Sequence, residues 1–99
     1  MHHYWVYIVG NKYMSAIYVG VTGNLKMRVL QHKTKTYQGF TAKYNCDMLL
    51  YFEEYGLVNQ AIAREKQLKG WCRDKKLELI LKMNPNREDL ARDWFGVEK

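Results

Sequence analysis

Glu65 stands where an apolar side chain is expected. From Val58 onward, Val58, Ala61, Ile62, Leu68 and Cys72 recur at the three-to-four-residue spacing of a buried helical stripe, and Glu65 falls within that stripe. A carboxylate in such a place calls for a cation, a metal or strong hydrogen-bond donors. Pairing with Arg64, Lys66 or Lys69 at the stripe's edge satisfies it equally well. Arg28 and His32, four residues apart, share a helix face with the apolar Leu25 and Val29. Two groups able to carry positive charge beside apolar neighbours suit an anion, although Arg28 can also snorkel to water from a helix boundary. Tyr7 and Tyr18 lie in consecutive strand-like runs, so an antiparallel pairing can bring both phenols to one face. Cross-strand aromatic packing uses tyrosines in the same way. Gly20 removes a side chain just ahead of the helix carrying Arg28, where a ligand or the backbone can approach closely. Together these residues offer two phenols, an imidazole, a guanidinium and a carboxylate. No Ser-His-Asp arrangement, phosphate-cradling glycine loop or zinc spacing competes with them.

The elements that must position these groups follow from the pattern. Tyr4 to Val9 is an aromatic and β-branched run, read as a strand buried on both faces. Gly10-Asn11-Lys12 ends it, and Ala16 to Val21 forms a second strand, joined to the first as an antiparallel hairpin. Thr22 or Asn24 caps a helix from about Leu25 to His32. The segment from Lys33 to Asn45 reads as loop with one helical turn, and Met48 to Tyr55 as a third strand. A helix carries the stripe from Val58. Another runs from Asp74 to Met83 with Leu77, Ile80 and Leu81 inward, and stops before Pro85. A last short helix is expected from Glu88 to Phe95. The fold class is α+β, a small three-stranded antiparallel sheet flanked by helices in the order β-β-α-β-α-α-α. One domain is expected over residues 1–99, with a core at 4–83 and a C-terminal helical extension at 84–99.

Composition narrows the partners. With 99 residues, 47% apolar and 14% aromatic, the chain has material for one compact core. The net charge is +6. Residues 1–50 hold six Lys or Arg against one acid, and residues 51–99 hold ten against nine, so the excess sits in the first half. Such a field suits a polyanion, as nucleic acid or an anionic membrane surface, and also occurs on basic proteins with neither partner. Cys46 and Cys72 form no CxxC pair, the start Met1-His2-His3-Tyr4 lacks a basic leader, and no apolar run reaches spanning length. A cytoplasmic protein with free thiols and no membrane association is the expectation.

The order and spacing of the motifs resemble the GIY-YIG nuclease domain, in particular small stand-alone members similar to the catalytic domain of the bacterial excision-repair endonuclease, excinuclease ABC. The first motif reads Trp5-Val6-Tyr7 and the second Tyr18-Val19-Gly20. Arg28 and His32 follow Asn24-Leu25, then come Gly39-Phe40-Thr41 and Tyr44-Asn45. After the third strand stand Ala61, Arg64-Glu65, Leu68-Lys69 and Trp71, and finally Met83-Asn84-Pro85 with Asp89-Leu90. The resemblance spans residues 4–94. Trp5 and Val6 replace the Gly and Ile of the motif, and Val21 stands where excision-repair relatives tend to have a lysine.

The resemblance implies a metal-dependent endonuclease that hydrolyses DNA phosphodiester bonds, with a role in DNA repair or recombination. On that reading Glu65 holds one divalent ion, most simply Mg²⁺ with Mn²⁺ as a substitute, and water and phosphate oxygens complete its shell. Tyr7 activates the attacking water, and Tyr18 orients water or phosphate. Arg28 stabilises charge developing on the phosphate, and His32 hydrogen-bonds a tyrosine or shuttles a proton. Lys26, Lys33, Lys35 and Lys43 hold the DNA backbone. A non-catalytic nucleic-acid-binding domain of the same fold is the alternative. A protein-interaction module leaves the basic first half without a role.

Overall fold

The computed structural model describes residues 2–36 and 39–96. Its centre is a three-stranded antiparallel sheet of β1 (Tyr4–Gly10), β2 (Ile17–Thr22) and β3 (Met48–Tyr55), in the order β2-β1-β3. The expected hairpin is present, with Tyr7 opposite Gly20 and Val9 opposite Tyr18. On the other side of β1, Tyr7 faces Phe52 and Trp5 faces Glu54. A register shift between Ile8 and Val9 leaves Leu50 as an extra residue in β3, so that Leu50 and Tyr51 both enter the same core.

Because β1 is central, both of its faces are covered, and Val6 to Val9 are all fully buried. On one face Val6 and Ile8 pack with Ala61, Leu68 and Ile80 of α3 (Val58–Lys69) and α4 (Arg73–Met83). On the other, Tyr7 and Val9 pack with Leu25 and Val29 of α1 (Leu25–Lys33), together with Cys46, Leu49 and Ala91. The Asn24 side chain caps α1 by accepting from the Met27 N–H. The helical turn expected before β3 is α2 (Phe40–Lys43), entered through Gly39 at φ +108, a conformation that L side chains rarely adopt. Both cysteines are free thiols, Cys46 buried and Cys72 exposed. Among the described residues, no helix is long and apolar enough to cross a membrane.

Three expectations need correction. The apolar stripe of α3 is rolled. Ala61 and Leu68 are buried, but Val58 and Ile62 are 45% and 38% exposed and Cys72 is exposed as well. The helix turns Arg64 and Glu65 toward the sheet because Arg64 finds a carboxylate there, and Ile62 is carried outward. Leu81 of α4 is also exposed, with Ile80 taking the buried position. The helix expected from Glu88 to Phe95 is a series of turns. The Asp89 carboxylate accepts from Leu49 and Ala91 N–H groups, and Leu90 donates to the Leu49 carbonyl. These bonds tie the segment's backbone to β3, while Arg92 and Trp94 make only three-residue closures. Leu90, Trp94 and Phe95 nevertheless pack on the core as their apolar character requires.

Candidate active site

The pairing of β1 with β2 sets the first contact. Tyr7 is fully buried, and its ring lies over Gly20 so closely that a Cβ there would stand 2.5 Å from the phenol oxygen. The glycine of the second motif is thus the space that the tyrosine of the first motif occupies. From α1, which packs on this face of the sheet, His32 brings Nε2 to 3.0 Å from the Tyr7 hydroxyl. Its other nitrogen, Nδ1, lies 3.3 Å from the Thr41 hydroxyl on α2.

Burial, and secondarily the charge of Arg28 one turn away, push the His32 pKa down from 6.5 to about 4. At neutral pH the imidazole is therefore uncharged, with one nitrogen donating and the other accepting. Both are engaged, so the ring is neither a metal ligand nor a store for a proton. It holds the Tyr7 hydroxyl in place and is itself oriented by Thr41. Arg28 is half-buried on the same face of α1, as the four-residue spacing predicts.

Tyr18 is the more open of the two phenols. Its ring lies 6.0 Å from that of His32, and the Lys69 ammonium stands 5.4 Å from its centroid. Lys69 also forms an ion pair with Glu65 at 2.8 Å, one turn back on α3. That contact, assisted by Tyr18, raises the Lys69 pKa. Through this lysine the carboxylate of α3 is joined to the tyrosines of the sheet. Of the cations able to pair with Glu65, Lys69 is the one that does so. Arg64 is committed elsewhere, with two nitrogens on the Glu53 carboxylate at 2.9–3.2 Å.

The Glu65 side chain is 15% exposed. Among the described residues there is no cluster of three or more His, Cys, Asp or Glu side chains able to hold a metal. A lone carboxylate does not suit Zn²⁺, which takes three or four protein ligands. It does suit Mg²⁺, which keeps most of its waters and uses one or two carboxylates with phosphate oxygens. The Lys69 ammonium meanwhile neutralises this carboxylate.

Tyr7, Tyr18, Arg28 and His32 are thus gathered beside one another, and Glu65 joins them through Lys69. Thr41 and Lys69 complete the cluster without having been singled out. Thr41 lay in a segment without clear periodicity, although its place in the Gly39-Phe40-Thr41 motif was a signal. Lys69 was visible as a partner for Glu65, but its approach to Tyr18 depends on how α3 packs across β2. Of the four lysines expected on DNA, Lys26, Lys35 and Lys43 are exposed. Lys33 instead bonds the Asp89 carboxylate and the Asp47 carbonyl, pinning the C-terminal segment to α1.

The profile of the GIY-YIG catalytic domain matches residues 3–78. The chain belongs to the GIY-YIG family. Two relatives are UPF0213 proteins. That of Staphylococcus haemolyticus is 31% identical over 80 residues, covering 81% of this chain and 96% of its own length. That of Clostridium perfringens is 30% identical over 89 residues, covering 90% of this chain and 95% of its own. The solution structure of the UPF0213 protein from Bacillus halodurans superposes with a TM-score of 0.55 at 23% identity, over 92% of this chain and 97% of that one, and so shares the fold. GIY-YIG is a nuclease fold family, and its two tyrosine motifs are here the pair that Gly20 and His32 bring together.

Proposed function

We propose that this GIY-YIG protein is a cytoplasmic, metal-dependent endonuclease that hydrolyses DNA phosphodiester bonds, as a stand-alone enzyme of repair or recombination. The observation that carries the reading is the buried Tyr7–His32–Thr41 chain lying beside Tyr18 and the Glu65–Lys69 pair. A structural tyrosine in a strand does not need a glycine opposite and an uncharged imidazole holding its hydroxyl.

Glu65 would hold the divalent ion, which supplies charge for the phosphate oxygens and favours ionisation of nearby groups. Tyr7, positioned by His32, takes a proton from the attacking water as its oxygen bonds to phosphorus and the bond to the leaving strand oxygen breaks. Since Tyr7 is fully buried, water reaches its hydroxyl only when substrate opens the Tyr18–Lys69 side. Tyr18 orients the water or phosphate there, and Arg28 stabilises the added charge on phosphorus. Lys26, Lys35 and Lys43 supply salt-sensitive backbone contacts, while Lys33 serves the fold.

One observation favours the second reading, a non-catalytic nucleic-acid-binding domain. Lys69 already satisfies Glu65, so the carboxylate has a role without a metal. Nicked, branched and single-stranded DNA incubated with the pure protein in Mg²⁺, and again in EDTA, separates the readings. Cleavage in Mg²⁺ alone supports the nuclease. Binding with no cleavage in either condition supports the second reading. In Arg28→Ala, cleavage should fall by at least a hundredfold while most DNA affinity remains. Equal losses of both would make Arg28 an ordinary phosphate contact.

A further inference from the structure

A row of aromatic rings leads from the active site to solvent. Phe40 follows Tyr18 with centroids 6.5 Å apart, and Tyr44 follows Phe40 at 4.9 Å. Phe40 is 47% exposed and Tyr44 42% exposed. They stand four residues apart at the two ends of α2, whose buried residue is Thr41. Packing therefore does not account for either ring. The row has a cation at each end, with Lys69 over Tyr18 and Lys43 at 5.4 Å from the Tyr44 centroid.

Exposed rings in series, flanked by ammonium groups, suit nucleotides whose bases are free. The base faces stack on the rings and the phosphates meet the lysines. A continuous duplex cannot use such a surface, because its base faces are already stacked on one another. Thr41, between the two rings, is the hydroxyl that orients His32, so the surface is continuous with the active site.

We propose that Phe40 and Tyr44 form a stacking platform for unpaired DNA nucleotides beside the bond to be cut. The substrate class is then a junction between duplex and single strand, such as a flap or a frayed end. This rests on the reading of the site as one that acts on DNA.

Binding in EDTA tests the platform without cleavage. Fluorescence anisotropy would compare a labelled blunt duplex with the same duplex carrying a short single-stranded tail. The wild-type protein should bind the tailed form about tenfold more tightly, since each stacked base adds about that much or more. Phe40→Ala and Tyr44→Ala should each remove most of the preference and leave blunt-duplex affinity unchanged. Phe40→Leu and Tyr44→Leu keep apolar bulk on α2 but lack a π face, and should lose the preference too.

Equal wild-type affinity for the two DNAs, or full preference in the leucine variants, overturns the platform while leaving the nuclease reading standing. Absence of binding to either DNA overturns both. A wild-type dimer that dissociates in Phe40→Ala with unchanged tail preference assigns the rings to contact between copies, and also overturns the platform.

Discussion

At the scale of single residues, the arrangement turns on how tightly Tyr7 is held. Gly20 leaves no slack, since a methyl group there would collide with a ring that is fully buried and bonded to His32. Gly20→Ala should therefore cost about 1–3 kcal/mol of stability, as overpacking does. It should also lower the cleavage rate at least tenfold by moving the phenol, measured by denaturant unfolding and single-turnover kinetics. His32 makes a different prediction. The unfolded chain takes up a proton on this imidazole near pH 6.5, the folded chain only near pH 4. Below pH 6.5 the unfolded state thus binds more protons, and stability falls steadily until about pH 4. Relative to His32→Gln, the wild type should lose stability over that window, on the order of 3 kcal/mol at most, and show no such difference above pH 7. Parallel stability-against-pH curves for the two proteins would contradict the buried, neutral imidazole.

At the scale of elements, α3 carries the carboxylate, and a polar clasp determines which way it faces. Glu53 on β3 accepts from Tyr51, Tyr55 and Arg64. These partners hold its pKa down against burial, and burial together with Glu53 pushes that of Tyr51 up to about 12. Arg64 is the residue before Glu65, so the clasp fixes the roll of the helix. Glu53→Gln should cost about 1–3 kcal/mol, because it leaves a half-buried guanidinium without its anion. It should weaken cleavage by letting Glu65 swing away, as urea melts and rate measurements on one preparation would show. The clasp also explains where reading the sequence fell short. Periodicity placed α3 and its inward glutamate correctly, yet Val58 and Ile62 lie outside because a cross-element ion pair outweighs two apolar positions. The same holds for residues 88–95, whose apolar spacing imitates a helix. There the Asp89 side chain and the Leu49 carbonyl tie the segment to β3. Strands and capped helices rest on local chemistry and were legible. Helix roll and the C-terminal turns depend on partners more than ten residues away.

At the scale of the whole molecule, the site exists only because distant segments meet. β1 and β2 supply the phenols, α1 the imidazole and guanidinium, α2 the threonine, and α3 the carboxylate with its lysine. Motif order indicated which residues belong together, but not that Glu65 would reach Tyr18 through Lys69, nor that Lys33 would be spent on the fold. The central claim is that this assembly hydrolyses DNA through a divalent ion at Glu65. Its most direct test is cleavage of one DNA junction in Mg²⁺ by wild-type protein and by Glu65→Ala, with the circular dichroism melt of each recorded. The account predicts cleavage by the wild type alone and a variant that remains folded. Equal cleavage by a folded Glu65→Ala protein would contradict it.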